Sequence, residues 1–396
     1  MAADSFGSEL VGLVPFAQSL VRLQSFSGKE RDVAEAVHTK MVELGYDEVF
    51  FDRTGNVVGR IGSGPKKVLF DSHMDTVEVS DAEKWQVPPF SGLIVDGRLY
   101  GRGSVDMKSA LAASVYAGGF AKRSGLSAEK TVYVVGSVCE EYCDGESLRN
   151  LFMERHLKPD FVVICEPSDN RIALGHKGKA QVRIHTHGLS AHGAAPEKGI
   201  NAVYEMAEII QRVEKLNQHL SRAGEKTPHG HGTVVLSNIS CVSASLNAVP
   251  SECSIYLDRR MIPGETEEDV KKEMDGLIAG EKASWELGTL EYATWTGTEL
   301  YYEPLHTAWK IDPDHELTRA CNRAYDRVFG KAGEKEPDRY DFWDFSTNAV
   351  TPVRLGIPTI GFGPGDYRLA HMRDENCRAD QIEAACRFYT ALIEEI

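Results

Sequence analysis

Apolar residues recur at helical spacing from Leu10 to Leu23 and from Val33 to Leu44, where the run stops at Gly45, a common helix terminator. The period then changes. Val49-Phe50-Phe51 and Val57-Val58-Gly59-Arg60-Ile61 flank the turn residues Thr54-Gly55-Asn56 and predict a strand pair. Val68 to Ser72 predicts a buried strand and Lys108 to Lys122 an alanine-rich helix. Thr131 to Val138 and Phe161 to Cys165 predict two further strands, with a helix from Leu148 to His156 between them. Strands alternating with helices predict an α/β fold around a mostly parallel sheet covered on both faces.

After Gly175 the rhythm changes again. Gln181 to Thr186 alternates like a half-exposed strand, Asn201 to Leu216 is amphipathic, and Gly232 to Cys241 and Cys253 to Asp258 predict two strands. A helix from Thr266 to Ala279 and a strand from Ser284 to Thr294 complete a strand, helix, strand, strand, helix, strand order. That order is an antiparallel α+β, ferredoxin-like module. It is expected to be inserted into the first domain, dividing the chain into 1–179, 180–296 and 297–396, with hinges near 180 and 296. Beyond it, helices are predicted over Leu317 to Phe329 and about Asp380 to Ile393. Between them lies a strand with a glycine-rich turn at Ile357 to Gly365. Gly224 to Gly232 is the one loose, low-complexity stretch.

At 396 residues, two domains are the expectation. The formal net charge of −15 and the lack of long like-charge blocks argue against nucleic acid and anionic membrane as partners. The start, Met1-Ala2-Ala3-Asp4-Ser5, has no basic, then apolar, leader pattern, and the apolar runs are strand-sized, so neither a signal peptide nor a membrane span is expected. Eight scattered cysteines without a C-x-x-C spacing point to reduced thiols and a cytoplasmic protein. Cys139 reads as a small strand residue.

In open sheets of this kind, chemistry gathers at the carboxyl ends of strands. Here three strands run out into His73, into Glu140-Glu141 and into Glu166, and crowded carboxylates are unfavourable unless a cation neutralises them. Asp106 lies in a glycine-bracketed turn, and His371 follows the Gly363-Pro364-Gly365 turn. The set suits two divalent ions about 3.5 to 4 Å apart, with Asp106 bridging and a hydrolytic water between them. Imidazole with carboxylate favours zinc, then cobalt or manganese, over calcium. One carboxylate of the Glu140-Glu141 pair should remain free to accept a proton, since neighbours on an extended backbone point apart. Asp75, two residues beyond His73 on the same side of a strand, is placed to receive the second ring nitrogen of that histidine.

The stretches Ser72-His73-Met74-Asp75-Thr76-Val77, Tyr100 to Lys108, Glu140-Glu141, Cys165-Glu166-Pro167-Ser168, Ser190-Ala191-His192-Gly193 and Gly363-Pro364-Gly365 with His371 resemble, in order, the M20 family of metallohydrolases. That family includes deacetylases, desuccinylases, aminoacylases and carboxypeptidase-type enzymes. The resemblance implies His73 and Glu166 on one metal, Glu141 and His371 on the other, and Asp106 bridging. It also implies Glu140 as general base and acid, and Asp75 behind the ligands. His192 would donate to the developing oxyanion, Asn247 and Arg260 would bind a substrate carboxylate, and Gly363 would lie against the substrate. The smaller domain would be a lid that pairs in a homodimer. Glu166 followed by Pro-Ser resembles the deacylase and carboxypeptidase branch, whose substrates are small N-acyl amino acids. Phe345-Ser346-Thr347-Asn348-Ala349 departs from that branch's Gly-Thr-containing segment and resembles a subgroup associated with bacterial selenium and purine catabolism. Two other readings compete: a metal-dependent dipeptidase or carboxypeptidase, and a non-catalytic binding relative, against which the intact Glu140 argues.

Overall fold

The computed structural model describes residues 10–224, 229–330 and 339–396; the first nine residues, 225–228 of the loose loop and 331–338 lie outside it. The large sheet runs, in spatial order, Glu48–Phe51, Val57–Ile61, Lys130–Ser137, Lys66–His73, Phe161–Ile164, Thr359–Gly361, Ile172–His176 and Trp309–Lys310, with Tyr340–Trp343 also beside Ile172–His176. Its four central strands, Lys130–Ser137 to Thr359–Gly361, are mutually parallel, and most of the flanking pairings are antiparallel. The fold is therefore mixed α/β around a mostly parallel central sheet, as expected. The short strands Ile172–His176, Trp309–Lys310 and Tyr340–Trp343 were not predicted. Each is only two to five residues long, too short for a period to show.

The apolar runs explain the central position of these strands. Val68, Leu69 and Phe70 are buried, and so are Val132, Val134 and Val135 beside them. Helix Lys108–Arg123 is covered along nearly its whole length. Gly118 permits this close seating, because a Cβ there would lie 2.0 Å from the Tyr46 hydroxyl, which donates to Val115 O at 2.8 Å. Among the described residues, no helix is long and apolar enough to cross a membrane. All eight cysteines carry free thiols.

The inserted module is a second sheet in the order Thr233–Val242, Glu252–Met261, Gly178–His187, Ala283–Leu287, all antiparallel, with Leu305–His306 also against Gly178–His187. Helices Ala202–Gly224 and Glu267–Ile278 cover one face through Met206, Ile209, Val270 and Met274, which pack with Val182, Ile184 and Leu257 in a core of their own. The second helix begins with a capping box between Thr266 and Asp269. The expected strand over Ser284 to Thr294 is two strands, Ala283–Leu287 in this sheet and Leu290–Ala293 in a hairpin with Glu299–Tyr302. Leu300 and Tyr302 of that hairpin join the larger core, so residue 296 falls within a turn already packed on the first unit.

Candidate active site

Strands Lys130–Ser137, Lys66–His73 and Phe161–Ile164 are adjacent and parallel, so their carboxyl ends share one edge of the sheet. That shared edge brings the predicted ligands together. His73 Nε2 lies 2.8 Å from Asp106 Oδ1 and 3.5 Å from Glu166 Oε1. On the other side, His371 Nε2 lies 3.2 Å from Asp106 Oδ2 and 3.1 Å from Glu141 Oε2. Asp106 thus faces one histidine with each of its oxygens, and two donor groups share it: His73, Asp106 and Glu166, and Asp106, Glu141 and His371.

The electrostatics follow from crowding. Burial, then the Asp106 charge, pushes the Glu166 carboxyl well above its ordinary range, and the same two causes raise Glu141. Burial opposes ionisation of Asp106, but its hydrogen bonds to His371 and His73 win and hold it low. Burial alone would depress both histidines. The carboxylates around them outweigh it, raising His73 well above its usual value and His371 to about 10. Three carboxylates and two imidazoles that must borrow protons from one another form a donor set that fits divalent cations, since a cation would neutralise the carboxylates and leave both rings free to ligate.

Glu140 stands apart from both groups. It lines the same cavity, of about 260 Å³, together with Asp106, Glu141, Glu166 and His371. Burial raises its carboxyl well above the usual range. The backbone here is not the extended strand end that was expected. Cys139 adopts φ +57°, Cys143 N–H donates back to Cys139 O at 2.9 Å, and the pair is presented from a tight turn. Cys139 is therefore a turn residue, not a strand residue.

The role expected of Asp75 also changes. The Nδ1 of His73 sits 2.9 Å from the backbone carbonyl of Asp75 and 3.5 Å from its carboxylate. The carboxylate instead accepts the N–H groups of Glu140 and Glu141, both at 3.1 Å, and the Ser27 hydroxyl at 2.6 Å. Glu30, which sequence reasoning missed, continues this clamp by accepting Cys139 N–H at 3.0 Å. Its only sequence cue was a carboxylate next to a helix start.

Arg260 lines the cavity, its guanidinium held by Asp258 at 2.6 and 3.1 Å. Two unanticipated residues, Lys179 and Asp144, line it as a buried pair at 2.6 Å. His192 and Asn247 are not brought to the cluster. They line a separate, open cleft of the inserted module with Leu246 and Pro250. Gly363 does not line the cavity either. A Cβ there would lie 2.3 Å from Cys165 O and 2.4 Å from Glu166 O, so this glycine is needed for close packing under the loop that carries Glu166.

A mostly parallel sheet bearing a shared-carboxylate donor cluster at its carboxyl edge, beside an antiparallel α+β module, is the architecture of a metallohydrolase. The chain belongs to Peptidase family M20/M25/M40, whose model matches residues 69–395. It is 36% identical over 380 residues to the uncharacterized protein YgeY of Escherichia coli (strain K12), covering 95% of this chain and 92% of that one. It is 28% identical over 345 residues to acetylornithine deacetylase of Proteus mirabilis (86% and 82% covered) and 27% identical over 388 residues to succinyl-diaminopimelate desuccinylase of Corynebacterium glutamicum (95% of each). Among solved structures, a tripeptidase from Staphylococcus aureus superposes with a TM-score of 0.74 at 19% identity, covering 96% of this chain and 97% of that one. A Bacillus subtilis protein described as a dinuclear metal binding peptidase of the M20 family superposes with a TM-score of 0.66 at 13% identity, covering 98% of each. The chain is a hydrolase of this family.

Proposed function

We propose that the protein hydrolyses the amide bond of a small N-acyl amino acid, with Glu140 as general base and acid. The observation that carries this reading is the position of Glu140: it belongs to neither donor group, yet it shares their cavity, where burial raises its carboxyl well above the ordinary range. Divalent ions, zinc before cobalt or manganese, would be held by His73, Asp106 and Glu166 and by Asp106, Glu141 and His371; when bound they supply Lewis-acid polarisation of the scissile carbonyl and acidify water. The Glu140 carboxylate takes the proton of the attacking water and returns it to the leaving amine. Asp75 keeps that carboxylate aimed by holding the amides of residues 140 and 141. Arg260, whose Nε and Nη2 are held by Asp258, would bind a substrate carboxylate through the remainder of its guanidinium.

In this reading the unit expected over 180–296, which by its packing ends at the strand Ala283–Leu287, is a lid on a catalytic unit made of the rest of the chain. His192 Nδ1 accepts Ala194 N–H at 3.0 Å, which leaves Nε2 as a donor for an oxyanion. Its cleft lies apart from the cavity, so it reaches substrate either by lid closure or from a second copy. Val235, Ile239 and Val242 stand exposed on the edge strand Thr233–Val242 of the lid and suit a lid-to-lid homodimer. Free thiols throughout fit a cytoplasmic setting.

The test is release of amine from a panel of N-acetyl and N-succinyl amino acids and dipeptides, with and without added divalent ions. Glu140→Gln should keep its metal content and lose about 10²–10⁴ in turnover. Turnover equal to wild type in that variant would overturn the assignment, and cleavage restricted to dipeptides would replace the deacylase reading with a dipeptidase one.

A further inference from the structure

The geometry points to the buried Arg102 guanidinium, ion-paired with Glu375, as the device that sets the affinity of one of the two metal positions, the one made by His371. The inference rests on the two-ion reading above. Arg102 Nη1 donates to Glu375 Oε2 at 2.6 Å, with side-chain exposures of 5% and 0%. The other carboxylate oxygen of Glu375 accepts the N–H of Val105 at 2.8 Å and of Asp106 at 3.1 Å, fixing the turn that carries the shared ligand. The second arm of Arg102, Nη2, donates to the carbonyl of His371 itself at 3.2 Å, and the guanidinium lies 5.4 Å from the Trp85 ring. One planar fork therefore spans two ligand loops that are far apart in the chain.

The two metal positions do not depend on this fork equally. His73 and Glu166 stand at or just past the ends of adjacent parallel strands, whose ladder pairs Asp71 with Ile164, and the His73 side chain is 1% exposed. His371 is 49% exposed, lies on a loop, and holds a left-handed backbone at φ +62°, away from the usual preference of a histidine. The guanidinium arm on its carbonyl is a restraint that a strand end supplies elsewhere. Arg102 thus positions His371, whereas Glu375 positions Asp106, which serves both ions.

The experiment is zinc titration of the chelator-stripped full chain by calorimetry, with metal counted by emission spectrometry. In Arg102→Met one ion should keep its dissociation constant within about threefold while the dissociation constant of the other rises about 10–100-fold, the usual effect of losing a partner behind a ligand. Excess zinc should restore turnover. Arg102→Lys, which keeps a charge beside Glu375 but cannot fork, should show the same selectivity at smaller size and decides the matter if the Met variant does not fold. Glu375→Ala should weaken both ions. Equal loss of both ions in a folded Arg102 variant, or no change in either, would overturn the inference. A wild type that binds no divalent ion would instead overturn the functional reading beneath it.

Discussion

The carboxyl edge of the large sheet and the cleft of the inserted module both carry residues expected to act on substrate, yet they differ in how finished they are. His73, Asp106, Glu141, Glu166 and His371 already lie within hydrogen-bonding range of one another across nearly 300 residues of sequence. His192 and Asn247 lie in an open cleft of their own. Under the proposed function, one half of the chemistry is built by backbone pairing, while the other half would need a motion or an association that brings His192 to the cavity.

The sharpest way to break this comparison is Asp106→Ala. Because each oxygen of Asp106 faces a different histidine, both ions and all turnover should be lost together in a metal count, and an undiminished count would show that Asp106 is not shared. His192→Ala probes the unfinished half. Turnover should fall about 10²-fold, with metal content unchanged and the fold intact by circular dichroism. Parallel loss of ions would mean that the lid histidine belongs to the cluster after all. If His192 acts from a second copy, mixing this variant with Glu140→Gln should restore up to about a quarter of wild-type activity to the whole mixture, since each mixed dimer regains one of its two sites. No recovery in an exchanging dimer favours closure within one chain.

The smallest effect concerns the junction between the halves. Burial pushes the His176 imidazole down to about 4, from 6.5 in an unfolded chain. Between those values the unfolded chain holds the extra proton, so stability is complete above about pH 6.5 and is lost as pH falls toward 4. From pH 7 to pH 5 this one group should cost about 2 kcal/mol of unfolding free energy in urea titrations. His176→Phe, which keeps a ring against Trp309, should remove that part of the pH dependence. An unchanged difference between pH 7 and pH 5 would show that the ring already titrates normally.

Much of the site was legible because its residues sit where a pattern ends. His73 and Glu166 follow unmistakable apolar runs, and Asp106 and His371 sit beside glycine turns. The clamps behind them were not legible. Asp75 uses its carboxylate on the amides of 140 and 141, Glu30 on Cys139, and Glu375 on Val105 and Asp106. Such bonds join a side chain to a distant backbone and leave no period in the chain. Asn348, in the segment that departs from the deacetylase pattern, is similar: it donates to Asp71 at 2.9 Å and accepts Gly145 N–H at 2.6 Å.

By itself the chain determined the alternation of strands and helices, the inserted α+β module and the acid and imidazole residues that gather at one edge of the sheet, because periodicity and strand-end chemistry are local. Only the tertiary structure decided that Asp106 faces both histidines, that Glu140 stands free beside them in a turn, and that His192 and Asn247 lie in a separate cleft. Those are matters of which loops meet in space, and that is settled by strand order and by long-range hydrogen bonds that local spacing does not encode.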